Sequence, residues 1–91
     1  MLHLMTVSDM EKLSYCLNNL NADDVIVLSS DGVNMISQLD HKYASTMILA
    51  LSDSVLAFGL KDKADRLGIR CIDYSTLVQL TVEIGSPKVC K

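Results

Sequence analysis

After two aspartates the chain carries four apolar residues in a row, Val25-Ile26-Val27-Leu28, three of them β-branched. A run like this, with no polar alternation, is the pattern of a strand buried on both faces. The common setting for such a strand is a parallel sheet covered by helices. Ser29-Ser30-Asp31-Gly32 then closes the run with residues that end strands and cap the next segment. Ligands and partners of open α/β sheets bind at the carboxyl ends of the strands, which makes residues 29–32 the first place to look for function. The same four residues are also ordinary strand-to-helix turn chemistry.

The flanking segments fit that setting. Residues 2–7 read as a first strand, and Ser8-Asp9-Met10-Glu11 has the S-x-x-E form of a capping box. Met10, Leu13, Leu17 and Leu20 then make one helical stripe, with Tyr15 and Asn19 on the far side. Asn18 to Ala22 is poor helix material and ends it. Val33–Leu39 is a short amphipathic turn or helix, followed by the polar connector Asp40-His41-Lys42-Tyr43. Residues 46–51 form a second continuous apolar strand, after which Ser52 or Asp53 can cap a helix that Gly59 interrupts. Lys61 to Leu67 reads as a charged extra turn or helix, for which Gly68 can serve as the C-terminal stop. Residues 69–73 make the last strand, a helix runs from Tyr74 to about Ile84, and Lys88–Lys91 is left as a tail. This β-α-β-α-β-α-β-α order predicts a small single-domain α/β fold over residues 1–91, Rossmann-like, its parallel sheet flanked by helices.

A 91-residue chain buries roughly 60–65% of its unfolded surface. Yet 49% of its residues are hydrophobic and its mean hydropathy is +0.29. That surplus points to an interface between subunits. The final helix points the same way: Leu77, Leu80 and Ile84 suffice to cover a sheet, while Val78 and Val82 lie on another face. Subunit contact through Val78 and Val82, or a wide helix in a small core, both account for the second stripe.

Other classes are poorly served. Net charge is −3, and the one concentration of Lys and Arg, residues 61–70, is interrupted by Asp62 and Asp65. Direct nucleic-acid binding needs a basic stripe, so none is expected. No apolar run approaches the ~20 residues of a membrane-spanning helix, and the opening Met-Leu-His-Leu-Met lacks the basic region of a signal peptide. The expected setting is cytoplasmic. Phosphate-cradling and zinc-protease motifs are absent, and His41 has no second ligand nearby, so neither cofactor nor metal is expected. The three cysteines, Cys16, Cys71 and Cys90, are widely spaced and form no C-x-x-C. Cys71 is expected to be buried in its strand. Cys90, between Lys88 and Lys91, is expected to be exposed on a mobile terminus. Cys16 lies at the margin of the first helical stripe, one turn after Lys12. It reads either as a small filler or as a thiolate that accepts and passes sulfur.

The opening Met1-Leu2-His3 resembles that of the DsrH/TusB family. So does Val27-Leu28-Ser29-Ser30-Asp31-Gly32-Val33, like that family's strand followed by D-G-V or D-G-I. Ala50-Leu51-Ser52-Asp53 and Leu56-Ala57-Phe58-Gly59-Leu60 are similar to its second strand and its L-x-A-R-G, with Phe58 where arginine is usual. Ile72-Asp73-Tyr74-Ser75 with Leu80-Thr81 looks like its I/V-D-Y opening and L-T close. The family's tryptophan near the C-terminus is missing, and the tail Pro87-Lys-Val-Cys-Lys91 is this chain's own.

The resemblance implies a DsrEFH-like fold and a partnership. It implies a heterohexamer with DsrE/TusD-like and DsrF/TusC-like subunits, a downstream DsrC/TusE-like sulfur carrier, and persulfide sulfur destined for 2-thiolation of the tRNA wobble uridine. The principal sulfur-carrying cysteine belongs to the DsrE/TusD-type subunit, which implies a structural and docking role here, without catalysis by this chain alone. Some DsrH-type members carry a first-helix cysteine in a context like Leu13-Ser-Tyr-Cys16-Leu17. An alternative is therefore that Cys16 itself carries persulfide, in a complex of dissimilatory sulfur metabolism. A third reading is a stand-alone homo-oligomeric module with no sulfur role.

Overall fold

The computed structural model describes residues 1–21, 23–39, 48–85 and 87–90, the last without the Cys90 side chain. The Asp40–Tyr43 connector, with His41, lies outside the described residues, as do the first two residues of the strand expected at 46–51.

Five strands make one all-parallel sheet: β1 (Leu2–Met5), β2 (Val25–Leu28), β3 (Ile48–Leu51), β4 (Arg70–Ile72) and β5 (Lys88–Cys90). Their order across the sheet is β4-β3-β2-β1-β5. The Val25–Leu28 run is the central strand, and Ile26, Val27 and Leu28 are fully buried. The helices are α1 (Met10–Asn18), α2 (Ser52–Ala57), α3 (Lys61–Leu67) and α4 (Tyr74–Ile84).

The topology decides which helix covers which face. From β1 to β4 the chain steps steadily toward one edge, so right-handed crossovers put α1, α2 and α3 on one face. The connection from β4 to β5 runs back past β1, and α4 therefore lies on the opposite face. Packing agrees: Met5, Leu13, Leu28, Ile36 and Val55 share one buried cluster, while Leu2, Val27, Ile72 and Leu77 share the other. Among the described residues, α1, α2, α3 and the segment Ser30–Gln38 cover the first face, and α4 covers the second. Leu4, Val25, Leu49 and Leu51 on that second side are only half-buried.

Local details depart from the sequence reading in places. Asp9 caps α1, accepting from the backbone N–H groups of Glu11 and Lys12 at 3.0 and 3.2 Å, so the expected Ser8–Glu11 box is not used. A carboxylate one residue later satisfies the same donors and adds a negative charge at the helix N-terminus. Neither Ser52 nor Asp53 caps α2, which starts at Ser52 with Leu51 in the cap position. The segment expected at Val33–Leu39 is a 3₁₀ helix over Ser30–Gln38. Val33, Ile36 and Leu39 recur every third residue, which a three-residue turn stacks on one buried side. Gly68 ends α3 in the left-handed conformation, and Asp73 caps α4 by accepting from the Thr76 N–H at 2.7 Å.

The largest correction concerns the tail. Lys88–Cys90 is not a loose arm but a fifth strand, paired with β1 in the register His3↔Lys88, Leu4↔Val89 and Met5↔Cys90. Cys90 therefore has its backbone fixed at a sheet edge, which removes the basis for a swinging terminal thiol.

Candidate functional site

Beside α1 the structure opens a cleft of about 590 Å³. It exists because β5 extends the sheet past β1 while the helices on that face stop at α1. One wall is the α1 surface carrying Lys12, Tyr15, Cys16 and Asn19, at the i, i+3, i+4 and i+7 spacing of a single helical side. The strands contribute His3 from β1 and Lys88 from β5, which the register makes neighbours. Asn21 and Asp24 close the end nearest the start of the chain.

Asp24 organises that end. Its side chain is almost wholly buried, and it accepts three hydrogen bonds: from the Met1 α-ammonium at 2.7 Å, from the Asn21 backbone N–H at 3.2 Å and from His3 Nε2 at 3.3 Å. The Met1 ammonium first, then the Asn21 N–H, hold its carboxyl down at about 2 against a partial opposing effect of burial. Asp24 is therefore ionised at neutral pH, and an ionised carboxylate can only accept. His3 Nε2 is therefore the donor in that contact. His3 Nδ1 is buried and is the buried side-chain nitrogen or oxygen among the described residues that has no hydrogen-bond partner. Such an atom costs about 1–3 kcal/mol when left unsatisfied.

The depressed Asp24 titration has a measurable consequence. Its contribution to stability is complete above the unfolded value of 3.8 and is lost as the pH falls from there through about 2. The stability gap between the protein and Asp24→Asn, followed by urea unfolding, should therefore close on acidification from pH 5 toward 2. A gap of constant size would show that ionised Asp24 contributes nothing.

Of the residues singled out from sequence, Cys16 is half-buried, packs against the first core cluster and lines the cleft together with Lys12. Cys71 is half-buried on β4, and burial pushes its thiol up, only partly offset by Lys61, so it is a poor nucleophile. Residues 29–32 do not line the cleft. Ser29 is buried and Gly32 is pressed onto the end of β1. Val78 and Val82 are exposed to 48% and 80%, and Tyr74, one turn before Val78, to 65%. Together they form an apolar stripe on the outer side of α4 at i, i+4 and i+8. Sequence reasoning passed over the pairing of His3 with Asp24, which lies 21 residues away. The signal was present as a polar residue between buried Leu2 and half-buried Leu4, and an aspartate at the mouth of the most buried strand.

Among the described residues no group of three or more His, Cys, Asp or Glu side chains could hold a metal ion, and no helix is long and apolar enough to cross a membrane. Compared with known families, residues 7–86 match the model described as DsrH like protein. No curated protein matches the chain.

Proposed function

The chain belongs to the DsrH-like family, and from that premise we propose that it is the DsrH/TusB-type subunit of a cytoplasmic sulfur-relay complex. In this reading it assembles with DsrE/TusD-like and DsrF/TusC-like subunits into a heterohexamer and helps shape the surface where a DsrC/TusE-like carrier docks. The sulfur it helps to pass ends in 2-thiouridine at the tRNA wobble position. The supporting observation is the outer side of α4. Tyr74, Val78 and Val82 are exposed on α4, which covers the second face of the sheet. Water is a poor neighbour for that stripe, and a subunit contact removes it from water. The chain contributes shape and surface, while the sulfur chemistry of the complex is centred on a neighbouring subunit.

A second reading is favoured by one observation. Cys16 is half-buried and lines a cleft that also carries Lys12 and Lys88, together with Asp9, Glu11 and Asp24. There Cys16 is itself a persulfide carrier, and the cargo can serve dissimilatory sulfur metabolism instead. Measuring 2-thiouridine in tRNA from cells lacking the chain tests the destination. The reading predicts that the modification is lost or sharply reduced and restored by the native gene. Undiminished 2-thiouridine would overturn the tRNA assignment. Restoration by Cys16→Ser as fully as by the native gene would favour the docking role over the carrier role.

A further inference from the structure

We propose that the open edge of β5 and the apolar flank of α4 form one docking surface. On it a partner chain lays a strand against β5, and the helix above that strand packs against Tyr74, Val78 and Val82. The partner is a different α/β chain with an acidic edge strand, not a second copy of this one. That this chain is another subunit of a sulfur-relay complex rests on the proposed function, whereas the surface stands on its own shape and charge.

Among the described residues β5 is the last strand of the sheet and pairs on one side only, with β1. Its other side presents backbone N–H and C=O groups that a further strand can pair with. The register sets Val89 beside Leu4, on the face that α4 covers, and Val89 is 45% exposed. α4 itself rests on β1. A strand added beyond β5 lies two strand spacings from β1, about 10 Å. Packed helices stand about 8–10 Å apart. A helix over the added strand therefore meets α4 side by side, with Val89 beneath the pair.

α4 turns its apolar flank toward that position. The centre of Tyr74, Val78 and Val82 lies roughly 130° around the helix from the stripe of Leu77, Leu80 and Ile84 that packs on the sheet. The helix runs antiparallel to the strands it joins, β4 and β5. Its right-handed turn then carries the apolar flank to the β5 side and leaves Thr76, Gln79 and Glu83 on the β4 side. Of the eight large apolar side chains exposed among the described residues, four gather at this one edge: Tyr74, Val78, Val82 and Val89.

Charge selects the partner. Lys88 is exposed on β5 and makes no ion pair among the described residues. A two-fold pairing of β5 with that of a second copy, centred on Val89, would set the two Lys88 side chains on one face at diagonal spacing. Long side chains reach each other there, and like charges repel. An edge strand carrying Asp or Glu instead gives the lysine an opposite charge across the new ladder. Lysines on open edges discourage unselective pairing, and this one resists the chain's own edge while admitting an acidic one. Glu83, the single charged residue of α4, lies on the other flank, so the incoming helix needs only an apolar face.

Amide hydrogen exchange, read by mass spectrometry on proteolytic fragments, compares the isolated chain with the complex purified from its own cells. Exchange over both Tyr74–Ile84 and Lys88–Cys90 should slow by about tenfold or more in the complex. Lys88→Glu, at an exposed position, should keep the fold by circular dichroism and weaken assembly by about tenfold, more at low salt than at high. Slowing in α4 while β5 exchanges as in the isolated chain would overturn the added strand. Assembly unchanged by Lys88→Glu would overturn the acidic edge. Slowing at β5 in the concentrated isolated chain would assign the surface to a second copy and overturn the choice of partner. A complex in which neither fragment slows would overturn the surface and leave the relay reading standing. Recovery of no complex at all would overturn the relay reading, and the different-chain partner with it.

Discussion

Gly32→Ala lowers stability by about 3 kcal/mol or more, or abolishes folding. The reason is local and rigid. A Cβ at Gly32 would collide with the backbone carbonyl of Met5. That carbonyl is already committed, accepting from the Ser29 N–H at 2.9 Å and so joining the end of β1 to the exit of β2. Gly32 itself donates to Ser29 O at 2.9 Å. A flexible side chain could swing aside, but the end of a strand in a five-stranded sheet cannot. For a domain this small each kcal/mol is worth about 4–8 °C in Tm, so the loss is large by thermal unfolding. A Tm within a few degrees of the native value would show that the β1 terminus yields and that the contact does not constrain this turn.

Val78→Asp combined with Val82→Asp leaves the isolated chain folded but weakens its association with partner subunits by about a hundredfold or more. Both side chains are exposed and point away from Leu77, Leu80 and Ile84, which pack on the sheet, so surface substitutions there cost the fold little. In a closed apolar contact the same change buries unpaired carboxylates, at a cost of several kcal/mol. Gel filtration of the co-expressed subunits with native or double-variant chain checks this. Loss of the complex, with unaltered circular dichroism of the variant alone, is the expected result. An intact complex would place the partners on another surface.

The elements that the sequence made plain were those whose own residues determine them. Val25–Leu28 is a strand at the positions its β-branched run implies, and Lys61–Leu67 and Tyr74–Ile84 are helices with the expected ends. Gly68 and Asp73 supply local chemistry for those ends, a left-handed stop and a side-chain cap. What could not be read depends on contacts between distant residues. β5 is three residues long, too short to have a propensity of its own, and it exists through the β1 edge it pairs with. The cleft depends on β5, since without that strand His3 has no Lys88 beside it. The choice of Asp9 over Ser8 as cap is finer than a motif of spaced letters resolves, because both residues are good caps. Cys16 was visible as a thiol at the margin of a stripe, but that it lines one cleft with His3 and Asp24 follows only from the fold.

The most direct test of the central claim is the native mass of the complex that the tagged chain forms in its own cells, with its components identified. The account predicts a hetero-oligomer containing two further subunits of similar size, of the DsrE/TusD and DsrF/TusC types, in equal amounts with this chain. A monomer or a homo-oligomer recovered from those cells would contradict it, leaving the α/β fold in place and the relay subunit without its complex.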